Sequence, residues 1–281
     1  MDKVVGRVIG YKAISIIKVV SIFVLLLLLS PFILGLVSLA TSLDLDWGQL
    51  WAAHSSALWN SYSYALLSAV STCLLAWLCT LGLFVSYDDA TRRRVALLCL
   101  IPFFASTAAR LFSWVLLFSS FGVVGRLLHG LHLLPPQESP LSLPSTLVFA
   151  LITIYLPVSI FAFYSFGSSV PVSVEEAATV LGANSLSINL TLRRRRLAWA
   201  FAVAFVFVFV SCHSAFMVPS VLGGSAGWFV STSVDYLLNV ALRRDAAFFL
   251  SNLDTFILTL GFLLVGFSSY LIGKLRSGAV K

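Results

Sequence analysis

The sequence predicts an all-helical integral membrane protein, and its composition and hydropathy pattern carry that prediction. Of its 281 residues, 59% are hydrophobic and only 10% are charged, whereas a soluble domain carries about 25% charged residues. Such a chain cannot cover a water-exposed surface with polar side chains. Its hydrophobic residues also fall in long runs of the length, about 20 residues, that an α-helix needs to cross a bilayer.

Six apolar segments are long enough to cross a membrane. They cover residues 14–41, 59–85, 95–118, 145–167, 197–217 and 250–273. The third and fourth contain Pro102 and Pro157, which membrane helices tolerate where neighbouring groups satisfy the freed carbonyl. The first run is too long for the apolar part of a cleaved signal peptide, so we expect an uncleaved anchor.

The positive charges predict the side of the membrane on which each loop lies. With the N-terminus inside, 14 of the 18 lysines and arginines fall in cytoplasmic segments, the excess that such loops carry. Both termini are therefore predicted to be cytoplasmic, and the +7 net charge needs no nucleic-acid partner. We expect a cytoplasmic N-terminus at 1–13, a transmembrane domain at 14–273 with a cytoplasmic loop at 168–196, and a cytoplasmic tail at 274–281.

The sequence contains no pattern typical of a metal site or an active site. The four cysteines (Cys73, Cys79, Cys99 and Cys212) lie in apolar segments, where they are expected to be small core residues. The histidines are scattered, and no cluster of Asp, His, Glu or Ser stands near a span end. We therefore expect no metal, no cofactor and no enzymatic activity in this chain.

The loop between the fourth and fifth spans carries signals for two short helices. Ser173 with Glu176 three residues later predicts a capping box at the start of the first helix. Gly182 is predicted to end that helix in the left-handed conformation that favours glycine. Asn184 or Ser185 is predicted to cap the second helix.

The same loop resembles the EAA loop of binding-protein-dependent ABC importer permeases. Glu176-Ala177-Ala178 is followed after three residues by Gly182-Ala183 and then by a span. In that family the motif ends in an apolar-x-Leu-Pro sequence, which Leu192 and Arg193–Arg195 replace here. Taken alone, the four arginines Arg193–Arg196 are expected to be anchors at the membrane border, where they can bind anionic membrane lipid.

Shorter segments are similar to the spermidine/putrescine branch of these permeases. They are Leu58–Ser61, Pro102–Phe104, Arg110–Trp114, Gly122, Tyr155–Pro157 and Phe216–Gly224. Opine and phosphonate permeases share such motifs, so a polyamine, an opine, a phosphonate or another small solute all remain as alternatives. A secondary transporter is a further alternative, but it would be expected to show repeated halves and more carboxylates inside the membrane.

The resemblance implies a MetI-like all-helical permease of about six spans in the bacterial plasma (inner) membrane. It implies assembly with a second permease subunit in a heterodimer, with two ATP-binding subunits and with an external solute-binding protein. The absence of a G-x-x-x-x-G-K-(S/T) motif from the sequence agrees with ATP chemistry in a partner. The residues expected to couple the permease to the ATPase are Ser173, Glu176, Ala177, Ala178, Gly182 and Ala183.

Polar and aromatic side chains on or beside the spans are candidates for a solute path or its gate. They are Arg110, Trp114, Tyr155, Tyr164, Ser211, His213 and Asp254. An arginine at the centre of a membrane helix costs at least about 2.5–3.5 kcal/mol, so Arg110 is expected to bind a carbonyl or an external acid such as Glu138, to stack on Trp114, or to line the path. Aromatic rings with acids suit a polyamine.

Overall fold

The computed structural model describes residues 47–135 and 138–278, and all regular structure in those residues is helical. The helices are α1 Trp47–Ser86, α2 Asp89–Phe104, α3 Thr107–Phe118, α4 Val123–Gly130, α5 Pro144–Gly167, α6 Val172–Val180, α7 Ser185–Thr191, α8 Arg194–His213, α9 Met217–Val221, α10 Val230–Asn239 and α11 Arg244–Gly278. The chain divides into two units. One is His54–Ser233, which contains the loop described below, and the other includes the described residues before His54 and after Ser233.

Five segments of the described chain are long and apolar enough to cross a membrane, which agrees with the predicted multi-pass, all-helical class. They are Trp51–Ser86, Thr107–Gly130, Pro144–Gly167, Arg194–His213 and Arg244–Leu263. The predicted first span at 14–41, the N-terminal segment at 1–13 and residues 279–281 of the tail lie outside the described residues. Helix α8 ends at His213, earlier than the predicted limit of 217, because the chain turns there before α9.

The predicted span at 95–118 is interrupted, and the candidate membrane span in this region is Thr107–Gly130 instead. The structure divides this segment between α2 and α3, with extended backbone at Ala105 (ψ 143°) and Ser106 (ψ 132°). Pro102 has no backbone N–H and therefore leaves the last turn of α2 short of one helical hydrogen bond. The Ala105 amide closes the turn by donating to the Pro102 carbonyl at 3.3 Å.

Small residues on one face of α1 allow it to pack closely on α5 and α8. Those with no exposed surface are Ser61, Ala65, Ser68, Ala69, Thr72, Cys73, Ala76 and Thr80. Around Ala65 and Ala69 lie Leu147, Leu151 and Ile154 of α5 with Val208 and Cys212 of α8. Lipid supplies no hydrophobic drive for helix association, so close van der Waals contact between small residues is what brings membrane helices together.

The segment between α8 and α10 is tied to the first and fifth helices by polar contacts. The Gly223 amide donates to the carbonyl of Leu141 at 2.8 Å, just before α5 begins. The Val230 amide, at the start of α10, donates to the hydroxyl of Ser61 on α1 at 2.8 Å. This segment therefore packs onto the ends of the spans rather than forming a detached loop.

The last residue of α5, Gly167, lies against the ring of Phe84 near the end of α1. A Cβ atom on Gly167 would stand 2.5 Å from the Phe84 Cε2 atom. That distance is too short for any real carbon pair, so the end of α5 can approach α1 this closely only because residue 167 is glycine.

Replacing this glycine tests the packing directly. We expect Gly167→Ala to lower the free energy of unfolding by about 1–3 kcal/mol, since the ring of Phe84 must move from a well-packed position. The matched control is Gly82→Ala on α1, where nothing lies within 4 Å of the added Cβ and alanine favours the helix. Thermal unfolding in detergent compares the two; equal stability of both variants would contradict the close contact.

Candidate functional site

The loop after α5 consists of two short helices joined by a tight turn at Gly182. Gly182 has φ +87°, its amide donates to the Thr179 carbonyl at 2.9 Å, and the Ala183 amide donates to the Ala178 carbonyl at 3.0 Å. These two bonds form a Schellman motif, which satisfies the last carbonyls of α6. The predicted left-handed end of the first helix at Gly182 is therefore confirmed.

The second helix of the loop is capped by Asn184, one of the two predicted capping residues. The side-chain oxygen of Asn184 accepts a hydrogen bond from the Ser187 amide at 2.7 Å. This bond satisfies one of the free amides in the first turn of α7. The turn is thus fixed at both of its ends by local hydrogen bonds.

The predicted capping box of Ser173 and Glu176 is wrong. Helix α6 begins at Val172, two residues earlier than a cap at Ser173 requires, and its N-cap is Pro171, which makes no side-chain capping bond. The fixed φ of Pro171 (−61°) suits entry into a helix, so a serine cap is not required. Ser173 and Glu176 both lie on the exposed surface of α6.

The turn presents two large apolar side chains to solvent. Val180 is 86% exposed and Leu181 is 87% exposed. Glu176 and Ala177 are exposed on the same helix, whereas Ala178 and Ala183 are half-buried. Fully burying a valine or leucine side chain contributes about 1.5–3 kcal/mol, so this tip is well suited to contact another protein.

Beneath the loop, Arg193 is buried with an exposed side-chain fraction of only 2%. Its guanidinium donates to the carbonyl of Gly167 at 3.1 Å and to the side-chain oxygen of Asn189 at 2.8 Å. Its remaining nitrogen, Nη2, forms an ion pair with Oε1 of Glu175. All three guanidinium nitrogens are therefore bonded, as a buried charge requires.

A second arginine and an aromatic ring complete this group. Arg92 Nη1, at the start of α2, lies 3.9 Å from Oε2 of Glu175. The guanidinium carbon atoms of Arg193 and Arg92 lie 4.1 Å and 5.4 Å from the centroid of the Phe84 ring, within the range of cation–π attraction. We call Phe84, Arg92, Glu175, Asn189 and Arg193 the Arg193 cluster.

The four consecutive arginines differ in their environments. Arg193 belongs to the Arg193 cluster, Arg194 and Arg195 are exposed, and Arg196 donates to the Ser169 carbonyl at 2.6 Å. From the sequence all four were expected to be anchors at the membrane border, and the roles of Glu175, Arg92 and Phe84 were not predicted. The four-residue spacing of Asn189 and Arg193 was the available signal that their side chains lie close together, as they do across the short gap between α7 and α8.

Three of the candidate path residues come together between α3, α5 and α8. Arg110 donates to the Ile154 carbonyl at 3.1 Å, and the hydroxyl of Tyr155 donates to the Ser211 carbonyl at 3.2 Å. Of the alternatives considered for Arg110, the carbonyl is therefore its partner. The Trp114 ring packs instead on the rings of Phe118 and Phe149.

The remaining path candidates have other surroundings. His213 is buried and its ring lies 4.5 Å from that of Tyr62, at the end of a run of stacked rings on α8. Tyr164 stacks on Phe84, beside the Arg193 cluster, with ring centroids 6.0 Å apart. Asp254 belongs to the other unit.

Two solved structures have the same fold as this chain. One is the crystal structure of a bacterial ABC transporter involved in the import of the acidic polysaccharide alginate; the match has a TM-score of 0.70 and 18% identity, and covers 92% of this chain and 94% of that chain. The other is the bacterial alginate ABC transporter in complex with alginate pentasaccharide-bound periplasmic protein, with a TM-score of 0.72, 17% identity and coverage of 90% and 92%. No protein-family model and no curated protein matches the sequence.

The buried position of Arg193 predicts a large difference between neighbouring arginines. We expect Arg193→Ala to lower the free energy of unfolding by about 3 kcal/mol, because it leaves the Glu175 carboxylate without its main partner. The control, Arg195→Ala, removes an exposed arginine and should stay within about 0.5 kcal/mol of the parent. Unfolding by denaturant in detergent measures both, and similar losses for the two variants would refute the assignment.

Proposed function

We propose that this protein is the transmembrane permease subunit of an ABC importer. In this role it forms the translocation path for a small solute, and ATP hydrolysis in partner subunits drives the transport. The observation that carries the proposal is the loop of α6 and α7, whose exposed Val180 and Leu181 stand on a base fixed to the membrane helices. The fold shared with chains of an alginate ABC transporter supports it.

The loop has the two properties that docking to an ATPase requires. Its tip offers an apolar pair beside the carboxylate of Glu176, which gives a partner both surface to bury and a charge to recognise. Its base is bonded to the end of α5 and the start of α8, so a displacement of the loop is passed to two spans. Alternating access by rigid-body motion requires such a mechanical connection.

The proposed assembly contains a second permease subunit, two ATP-binding subunits and an external solute-binding protein in the bacterial inner membrane. The chain has no phosphate-binding loop of its own. A periplasmic protein carrying an alginate pentasaccharide accompanies one of the similar structures, which supports a solute-binding partner here. Both termini and the loop at 168–196 are proposed to lie in the cytoplasm, on the basis of the charge distribution.

For the solute, the motifs shared with the spermidine/putrescine branch favour a polyamine. Arg110 favours the alternative of an anionic solute, such as an opine or a phosphonate. The Nε atom of Arg110 is buried and has no hydrogen-bond partner within the described residues. Arg110 lies close to Tyr155 and Ser211, and its free N–H group could donate to an anion. Binding measurements with polyamines, opines and phosphonates on the partner solute-binding protein separate these alternatives.

Charge on the apolar tip should abolish docking. In membranes that contain the cognate ATPase, we expect the wild-type protein to co-purify with it, and the double variant Val180→Glu, Leu181→Glu to lose at least about 90% of that ATPase, since two carboxylates would have to be desolvated. The control is Ala90→Glu, an exposed position in the first turn of α2, where a negative charge is favourable. Absence of any ATPase from the wild-type preparation would contradict the proposed function.

We expect the backbone conformation of Gly182 to be required for coupling between ATP hydrolysis and solute uptake. No heavy atom lies within 4 Å of a Cβ placed on Gly182, but its φ of +87° disfavours branched side chains. We expect Gly182→Val to reduce solute uptake per ATP hydrolysed by about tenfold, by displacing α7 relative to α6. Gly182→Asn is the control, since asparagine tolerates positive φ; parental coupling in the valine variant would contradict this role.

A further inference from the structure

Two consecutive glutamates of α6 have opposite environments. The Glu175 side chain is only 19% exposed and pairs with Arg193 and Arg92. The Glu176 side chain is exposed, and among the described residues it makes no hydrogen bond or ion pair. The glutamate of the recognisable motif therefore points outwards, and the residue before it supplies the internal contact.

Glu175 joins the loop to helices that are distant in sequence. Through Arg193 it is connected to the last carbonyl of α5, at Gly167, and to Asn189 of α7. Through Arg92 it reaches the N-terminal turn of α2, where Arg92 also donates to the Phe84 carbonyl at 3.0 Å. One carboxylate thus connects the first loop helix with parts of the chain that belong to four other helices.

The contacts of Arg193 fix the orientation of its guanidinium as well as its position. Arg193 presents three nitrogens in a rigid plane, so its bonds to Gly167, Asn189 and Glu175 fix the orientation of the guanidinium and not only its distance. The Phe84 ring covers one face of that plane at 4.1 Å. Water and lipid headgroups are excluded from most of the pair, because only 2% of the Arg193 side chain is exposed.

We infer that Glu175 and Arg193 are positioning residues that fix the loop of α6 and α7 to the membrane helices. Glu176, which is exposed, contacts the partner ATPase. This inference rests on the proposed function, in which the loop docks on an ATPase. Loss of the Glu175–Arg193 pair leaves the docking surface of α6 intact and loosens its attachment. ATP hydrolysis then continues without an equivalent movement of α5 and α8.

The first test uses the permease alone in lipid nanodiscs. Backbone amide hydrogen exchange is followed across residues 172–191 in the parent, Glu175→Gln and Glu176→Gln. We expect these amides to exchange at least about tenfold faster in Glu175→Gln, because the tie that opposes local opening is lost. In Glu176→Gln the change should be below about twofold. Equal exchange in the two variants, or a larger effect at Glu176, overturns the inference.

A second pair of variants covers the case in which Glu175→Gln does not fold. Glu175→Asp keeps the charge but is shorter by one methylene, so the carboxylate no longer reaches Arg193 with the same geometry. Its matched control is Glu176→Asp. Faster loop exchange in Glu175→Asp alone supports the inference, and unchanged exchange in Glu175→Asp contradicts it.

The third test uses the assembled transporter and separates attachment from docking. We expect Glu175→Gln to retain the co-purified ATPase but to import at least about fivefold less solute per ATP, and Glu176→Gln to lose ATPase from the complex. Loss of ATPase from both variants to the same extent would refute the division of roles. If the wild-type protein binds no ATPase, the proposed function fails, whereas the exchange experiment still decides whether Glu175 holds the loop.

Discussion

The ion pair between Arg193 and Glu175 is the interaction on which the organisation of the loop depends. An arginine side chain that is only 2% exposed needs a partner for each guanidinium nitrogen, and Gly167, Asn189 and Glu175 supply them. These partners come from α5, α7 and α6, so satisfying one charge brings three helices to one point. Removing either charge leaves the other desolvated and unpaired, which makes the arrangement sensitive to single substitutions.

The membrane helices near this cluster associate for a different reason, because lipid supplies no hydrophobic driving force between them. Close contact depends on small side chains along α1 and on the missing side chain at Gly167, which leaves space for Phe84. The ring of Phe84 then serves two purposes, because it packs against Gly167 and also covers the Arg193 guanidinium. Helix packing and charge burial are therefore linked through one aromatic residue.

Two polar side chains between the spans bind backbone carbonyls. Arg110 binds the Ile154 carbonyl one residue after Thr153, whose carbonyl loses its helical partner because Pro157 has no N–H. Tyr155 binds the Ser211 carbonyl on α8. Such contacts satisfy polar groups between helices without creating a deep acidic site.

The sequence by itself determined the features that depend on neighbouring residues. Membrane spans follow from runs of apolar residues, and the turn at Gly182 with its cap at Asn184 follows from local hydrogen bonding and positive φ. Only the tertiary structure decided which glutamate of α6 faces inwards and which arginine of the four is buried. These choices rest on contacts between residues far apart in the chain, such as Arg193 with Gly167 and Glu175 with Arg92, and no local pattern encodes such pairs.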